Sequence, residues 1–152
     1  CMCAALALSE NGGGSIVTID PALDENFLND LTERFPKEWF DMIKFIKGKS
    51  QEYLADEKQR NEKYDLIYID GDHTYEATKR DWELCKENYN KFLIFDDYHL
   101  PGKVQKDIEC SNLIDQIEDE SKELIIMDRR IFLDDRGYSD DEIDYGQVLL
   151  TR

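Results

Sequence analysis

The sequence predicts an α/β fold whose sheet is mostly parallel. Residues 66–69 and 92–95 are short apolar runs of the length typical of buried strands. The segment between them repeats large or apolar side chains at spacings of three and four residues, as one helix face does: Tyr75, Thr78, Trp82, Cys85 and Tyr89. Strand, helix and strand together form a βαβ unit, whose crossover connection makes the two strands parallel.

Both apolar runs end in aspartates. Asp70 and Asp72 follow the first run, and Asp96 and Asp97 follow the second. Because parallel strands end at the same edge of a sheet, we expect the four carboxylates at one rim, where open α/β sheets bind ligands. A cation or a proton relieves the repulsion in such a cluster. Any single aspartate is better explained as a helix cap or a solvated strand end, but four at one rim favour a functional site.

The spacing of these aspartates suits a hard cation such as Mg²⁺, which takes oxygen ligands. Asp70 and Asp72 are two residues apart and point to the same side of an extended chain. Asp96 and Asp97 are neighbours, so both can bind one ion only if the strand breaks between them. His73 and His99 lie beside the two pairs, and either imidazole is a candidate base near neutral pH or a solvated side chain.

The composition restricts the partners and the compartment. The formal net charge of −16 repels nucleic acid and anionic lipid, so we expect a small-molecule substrate and neither of those partners. No apolar run approaches the ~20 residues that span a bilayer, and no secretory signal pattern is predicted. The 4 cysteines lack the spacing of a disulfide framework or a zinc site, which predicts free thiols and a cytoplasmic protein. A homo-oligomer is compatible with the sequence, which leaves the oligomeric state open.

The first third of the chain predicts helices that alternate with strands. A helix over residues 1–10 ends at a glycine triplet, and a strand over 15–19 ends in Asp20. Asp20 either terminates the strand before a proline or binds a ribose hydroxyl, a role that places a glycine-rich turn roughly 20 residues earlier. That turn, with the strand before it, is then expected upstream of Cys1.

The remaining elements are predicted from periodicity and turn residues. A helix is predicted over 24–35, with an apolar stripe, and a strand over 42–46. A turn at 48–50 then leads into a helix over 51–60. Ser50 is either the N-cap of that helix or a ligand-facing residue. A loop at 98–102, a helix over 103–120, an acidic loop at 134–144 and strands over 124–127 and 148–150 complete the chain. The stripe of the first of these helices consists of Phe27, Leu28, Leu31 and Phe35.

The pattern strand–IDGDHTYEA–helix–strand–FDDYHLPG resembles the class I S-adenosylmethionine-dependent methyltransferases. It is most similar to the metal-dependent O-methyltransferases of the macrocin type, over a stretch from about Ser15 to the C-terminus. The resemblance implies a doubly wound, Rossmann-like methyltransferase fold. It also implies a set of site residues: Asp70, Asp96 and Asp97 as Mg²⁺ ligands, Asp72 as the general base, and Asp20, Ser50 and Asp70 as residues of the cofactor site.

Two departures from the family pattern matter. The motif reaches its tyrosine one residue later than in the macrocin type, so His73 could replace Asp72 as the base. The family's first strand and its glycine-rich cofactor loop are missing from the sequence. Since that strand is central in the family's sheet, its absence would leave two strand edges without partners, unless another strand fills the gap.

These observations predict one domain over residues 1–152, incomplete at its N-terminus. Its expected activity is S-adenosylmethionine-dependent, Mg²⁺-assisted O-methylation of a small hydroxylated molecule, such as a sugar or a natural product. One alternative is a nucleotide-sugar transferase in which Asp70 and Asp72 form a DxD metal motif. The other is a non-catalytic methyltransferase-like remnant or interaction module.

Overall fold

Helices and strands alternate along the chain in the computed structural model, which describes residues 1–56, 61–99, 108–126 and 145–152. The contacts within the chain divide it into two units, Cys1–Asp56 and Glu57–Arg152. The sequence-based expectation of a single domain stays a prediction. Among the described helices, none has the length and apolarity that a membrane crossing requires.

The first unit holds a two-stranded parallel sheet. Its elements are α1 (Met2–Glu10), β1 (Ile16–Asp20), α2 (Glu25–Arg34), α3 (Lys37–Phe40), β2 (Ile43–Lys47) and α4 (Ser50–Leu54). The two strands run in register, so that Asp20 lies opposite Lys47 where both strands end. As predicted, glycine closes α1, because the Gly13 N–H donates to the Leu8 carbonyl at 2.7 Å with φ of 101° at Gly13.

The helix predicted over 24–35 is confirmed as α2, which has Asp24 as its N-cap and Phe35 as its C-cap. No residue of α2 is buried and Phe27 is 57% exposed, so its apolar stripe faces no core in the described structure. An amphipathic helix buries its stripe only where another element covers it. Ser50 is the first helical residue of α4, and Lys49 occupies the N-cap position in extended conformation. The predicted Ser50 cap is therefore wrong. The element α4 ends at Leu54, and residues 57–60 of the predicted helix lie outside the described residues.

The second unit is built on a four-stranded mixed sheet. Its elements are β3 (Tyr64–Ile69), α5 (Tyr75–Cys85), β4 (Tyr89–His99), α6 (Cys110–Ile114), β5 (Glu123–Ile126) and β6 (Tyr145–Thr151). The strand order is β3-β4-β6-β5, with β3 and β4 parallel and the other two pairs antiparallel. The predicted βαβ unit is confirmed, and it brings the ends of β3 and β4 to the same edge.

The core of the second unit lies between one face of this sheet and the helices α5 and α6. Leu93, Phe95 and Leu150 are at most 1% exposed, and the Trp82 ring lies 5.8 Å from the Phe95 ring. Cys85 is buried, as its place on the helix stripe predicted. The opposite face exposes apolar side chains of β3 and β4. A doubly wound arrangement, which needs helices on both faces, stays a prediction.

The strand β4 is longer than predicted. It continues beyond Asp96 and Asp97 to His99, and its last two residues pair with β6 where a loop was expected. His99 is 1% exposed, and its backbone N–H donates to Ser111 Oγ at 2.7 Å. A solvated His99 at the rim is therefore wrong, because pairing with β6 carries this residue into the core.

Several expectations fall partly or wholly outside the described residues. Of the helix predicted over 103–120, α6 covers only five residues, and 103–107 are not described. The strands predicted over 124–127 and 148–150 correspond to β5 and β6. Positions 57–60, 100–102, 127 and 134–144 also lie outside the described residues. In the described sheets β1 has β2 as its one neighbour and β3 has β4, and the missing strand between β1 and β3 stays a prediction.

Candidate functional site

The C-terminal end of β3 delivers Asp70 to the rim. The strand is anchored by the buried Ile69, and the chain then turns through residues 70–74 into α5. Thr74 is the N-cap of α5 and accepts a hydrogen bond from the Ala77 N–H. Gly71 lies in the tight part of this turn, where a Cβ atom would lie 3.2 Å from Asp81 Oδ2. The turn therefore holds the residues after Asp70 close to the start of α5.

The C-terminal part of β4 delivers Asp97 through an irregularity in the strand. The pairing with β6 shifts register between Phe95 and Tyr98, and Asp97 has φ of 53°, a left-handed conformation that aspartate tolerates better than most residues. Sequence analysis required a break in the strand if both neighbouring aspartates were to face one ion. The strand does not end there, but its irregularity gives Asp96 and Asp97 different partners.

Three side chains meet at this rim. Among the described residues, Asp70, His73 and Asp97 each offer one ligand atom, and all three atoms lie within 4.8 Å of one another. His73 Nε2 lies 2.9 Å from Asp97 Oδ2, with the two side chains 38% and 23% exposed. Ile69, Gly71, Thr78, Phe95 and Cys110 line the depression around them. Two carboxylates and an imidazole at these distances form a donor set for a cation.

Asp96, predicted as a metal ligand, lies in a separate hydrogen-bond network. Its Oδ2 accepts from the Tyr68 hydroxyl at 2.5 Å, and its Oδ1 accepts from Gln147 Nε2 at 3.2 Å. Gln147 Nε2 also donates to the Tyr68 hydroxyl oxygen at 2.7 Å. Burial and the hydrogen bond to the Asp96 carboxylate raise the pKa of Tyr68, so its hydroxyl remains a donor.

The electrostatics of the rim favour a positive charge. Partial burial, together with the negative charges of Asp96 and Asp97, raises the pKa of Asp70, and the nearby His73 opposes this effect. A raised pKa means that the ionised form of the carboxylate is disfavoured, and a bound cation would stabilise that form. This is the repulsion that sequence analysis expected from the clustered aspartates.

Asp72, predicted as the general base, lies on the exposed side of the turn. Its Oδ1 accepts from the Thr74 N–H at 3.0 Å, and this hydrogen bond is the main cause that lowers the pKa of Asp72. The carboxylate thus stabilises the turn before α5, but the N-cap is Thr74, so the capping alternative considered for Asp72 is wrong. It is also ionised and exposed at the rim, as a proton acceptor must be.

Cys110 supports the backbone of Asp97. It is 3% exposed, and its thiol donates to the Asp97 carbonyl at 2.9 Å. Burial and the charge of Asp97 raise the pKa of this thiol to about 11, so it remains protonated and able to donate. Cys110, Tyr68 and Gln147 were not predicted from the sequence. Only Tyr68 carried a signal, because it lies two residues before Asp70 and so shares a strand face with it.

The predicted cofactor residues of the first unit lie together at the edge where β1 and β2 end. The Gly48 N–H donates to the Asp20 carbonyl at 3.3 Å, and Ser50 begins α4 two residues later. Asp20 is exposed, and its Oδ1 accepts from the Ala22 N–H at 2.7 Å. This bond is the turn geometry expected of an aspartate that ends a strand. The edge therefore presents a carboxylate and a helix start side by side.

Comparison with known proteins bears on both edges. Residues 1–98 match the family described as "Methyltransferase domain". The matched stretch contains the predicted site residues from Asp20 to Asp97, but not the candidate base His99. Comparison with curated proteins gives no match.

Proposed function

Because the chain belongs to the methyltransferase-domain family, we propose that it transfers a methyl group from S-adenosylmethionine to a hydroxyl of a small molecule, with help from a divalent cation. The convergence of Asp70, His73 and Asp97 where β3 and β4 end carries the cation part of this proposal. A sugar or a natural product with free hydroxyls is the substrate class that the family resemblance suggests.

The rim fits a divalent cation by its chemistry. Asp70 and Asp97 offer carboxylate oxygens, and the pKa of Asp70 is raised by partial burial and by the negative charges of Asp96 and Asp97, which a cation would neutralise. Mg²⁺ and similar ions are commonly held by one or two carboxylates, with substrate and water as the remaining ligands. When bound, such an ion supplies polarisation of a substrate hydroxyl, which lowers the pKa of that hydroxyl.

The edge of the first unit fits the methyl donor. We assign Asp20 to a ribose hydroxyl, because an acid at a strand end accepts such hydrogen bonds in related nucleotide sites. The turn at residues 48–50 lies beside it and suits the adenine, with Ser50 in the first turn of α4. S-adenosylmethionine supplies an electrophilic methyl group on its sulfonium.

The substrate proton needs an acceptor at the rim. Asp72 is ionised and exposed there, and its low pKa makes it a weak base that suffices once the hydroxyl has been acidified. His73 is the alternative acceptor, one residue further along the same turn. The pH profile of turnover separates the two, as described in the Discussion.

Calorimetry tests the donor assignment. S-adenosylmethionine and a uridine diphosphate sugar are titrated separately into the protein, each with and without a divalent cation. We expect S-adenosylmethionine to bind and the nucleotide sugar not to bind. In a separate assay, the labelled methyl group of S-adenosylmethionine should be transferred to hydroxylated acceptors. Binding of the nucleotide sugar instead would favour the DxD transferase, and binding of neither ligand would favour a non-catalytic module.

A further inference from the structure

The ligand atoms at the rim differ from the expected set in one residue. The resemblance implied Asp70, Asp96 and Asp97, whereas the atoms that converge belong to Asp70, His73 and Asp97. The imidazole of His73 reaches this point because the turn after β3 brings its Nε2 to 2.9 Å from Asp97 Oδ2. A nitrogen donor thus lies where an all-carboxylate site would have a third oxygen.

Both carboxylate oxygens of Asp96 already have donors. Tyr68 donates to Oδ2 at 2.5 Å and Gln147 donates to Oδ1 at 3.2 Å. Because Gln147 also donates to the Tyr68 hydroxyl oxygen, the three side chains fix one another. Turning Asp96 toward the cation would break both hydrogen bonds, which are strong because their acceptor is a charged carboxylate.

We propose that His73, and not Asp96, is the third protein ligand of the cation, and that this set of one nitrogen and two oxygens prefers Mn²⁺ to Mg²⁺. The inference rests on the proposed function for the presence of a cation and adds the ligand set and the metal preference. It also leaves Asp72 as the proton acceptor, because a metal-bound imidazole nitrogen has no lone pair left for a proton.

The chemical basis is the difference between the two ions. Mg²⁺ favours all-oxygen surroundings and gives up water reluctantly, whereas imidazole is a good ligand for first-row transition ions. Mn²⁺ also accepts carboxylate oxygens readily, so the mixed set suits it, with substrate or water as the remaining ligands. Asp96 then acts as a positioning residue of the network behind the ligands.

The first experiment reads the ligand directly. Mn²⁺ alone is added to the protein, and pulsed electron paramagnetic resonance is used to look for coupling of the ion to a nitrogen nucleus. We expect a nitrogen signal in the wild type that disappears in His73→Asn, with a loss of Mn²⁺ affinity of at least roughly 10–100-fold. Asp96→Asn, the matched control of similar shape, should keep the signal and change the affinity less than about threefold.

The second experiment reads the preference. Mg²⁺ is added to displace bound Mn²⁺, and the displacement is monitored by the recovery of the electron paramagnetic resonance signal of free Mn²⁺. We expect the wild type to hold Mn²⁺ at least about tenfold more tightly than Mg²⁺. His73→Asp, which restores an all-oxygen set, should bring the two affinities closer together. An unchanged preference in His73→Asp would contradict the proposal.

The outcomes separate this inference from the proposed function. Bound Mn²⁺ without nitrogen coupling, a loss of affinity in Asp96→Asn equal to that in His73→Asn, or no Mn²⁺ binding at all would overturn the ligand assignment. Nitrogen-coupled Mn²⁺ in a protein that fails to bind S-adenosylmethionine would support the assignment and overturn the proposed activity.

Discussion

In each unit an aspartate lies at the C-terminal edge of a pair of parallel strands, yet the two edges differ in their surroundings. In the first unit Asp20 is exposed and its carboxylate accepts a hydrogen bond from the backbone two residues later. In the second unit Asp70 faces Asp97 and His73, and burial and neighbouring charges raise its pKa. The strand-end acid of the first unit thus has a backbone donor, whereas that of the second unit faces neighbouring negative charges.

The comparison teaches what converts a strand-end acid into a cation site. Parallel pairing brings acids to one edge in both units, but only β4 adds an irregularity that turns one of two neighbouring aspartates toward β3. Only the second edge has a turn that supplies an imidazole. We therefore expect Asp20 and Asp97 to fail in different ways when each is neutralised.

The largest effect is expected from Asp97→Asn. Asparagine tolerates the left-handed backbone at this position and keeps the side-chain size, so the substitution removes the charge with little structural change. Cation-dependent methyl transfer should be abolished because one carboxylate ligand is lost. Transfer of a labelled methyl group measures it, and unchanged turnover would refute the cation assignment.

Asp72→Asn tests the base and should lower kcat by about 100-fold, since general base catalysis contributes roughly 10²–10⁴-fold. The amide oxygen can still accept from the Thr74 N–H, so the turn is preserved. Affinities for the donor and the cation should not change. Calorimetry of both ligands is the control, and a variant with wild-type kcat would exclude Asp72 as the base.

The pH profile of the wild type sharpens the same test. The pKa of Asp72 is lowered from 3.8, so its protonation should cause no loss of activity between about pH 8 and pH 5 at saturating cation. A loss of activity within this range that persists at saturating cation would contradict Asp72 as the base.

Asp20→Asn should show the opposite pattern to Asp97→Asn. Loss of a charge-assisted hydrogen bond to a ribose hydroxyl should weaken S-adenosylmethionine binding about tenfold, with cation affinity unchanged. The amide oxygen can still accept from the Ala22 N–H, which keeps the turn. Calorimetry with the donor measures the effect. Equal donor affinity in the variant would leave Asp20 as a strand terminator only.

Local patterns in the sequence were enough to predict the strands and the helix that form the edge of the second unit. Apolar runs and helical spacing predicted β3, α5 and β4, and the crossover connection predicted their parallel pairing. From these elements alone it followed that Asp70 and Asp97 would share an edge. The same signals worked in the first unit for α1, β1 and β2.

The contacts of Asp96, Asp97 and His73 could not be predicted from the sequence pattern, because they depend on pairings and turns elsewhere in the fold. The register shift that gives Asp96 and Asp97 different partners arises in the pairing of β4 with β6, and Gln147 lies 79 residues from Tyr68. The direction of the His73 side chain depends on the turn that Asp72 and Thr74 stabilise. Spacing along the chain reports neither of these contacts.

The smallest effect concerns stability and has an unusual sign. Without a cation, Asp70→Asn should stabilise the fold at pH 7, by up to about 1 kcal/mol for a charge that is largely exposed. The pKa of Asp70 is raised in the folded state, so its ionised form destabilises the fold above that pKa. As the pH falls through the raised pKa toward 3.8, wild-type Asp70 takes up a proton and the advantage of the variant disappears.

Urea unfolding at pH 7 and at about pH 4 measures this difference. Added Mn²⁺ should reverse it, because the ion stabilises the wild type and binds the variant less tightly. Asp20→Asn is the control, since the exposed Asp20 carboxylate accepts a hydrogen bond from the Ala22 N–H and its loss should not stabilise the protein. If Asp70→Asn were less stable than the wild type at pH 7 without a cation, the carboxylate would be held by favourable contacts. The edge of the second unit would then carry no unrelieved charge for a cation to neutralise.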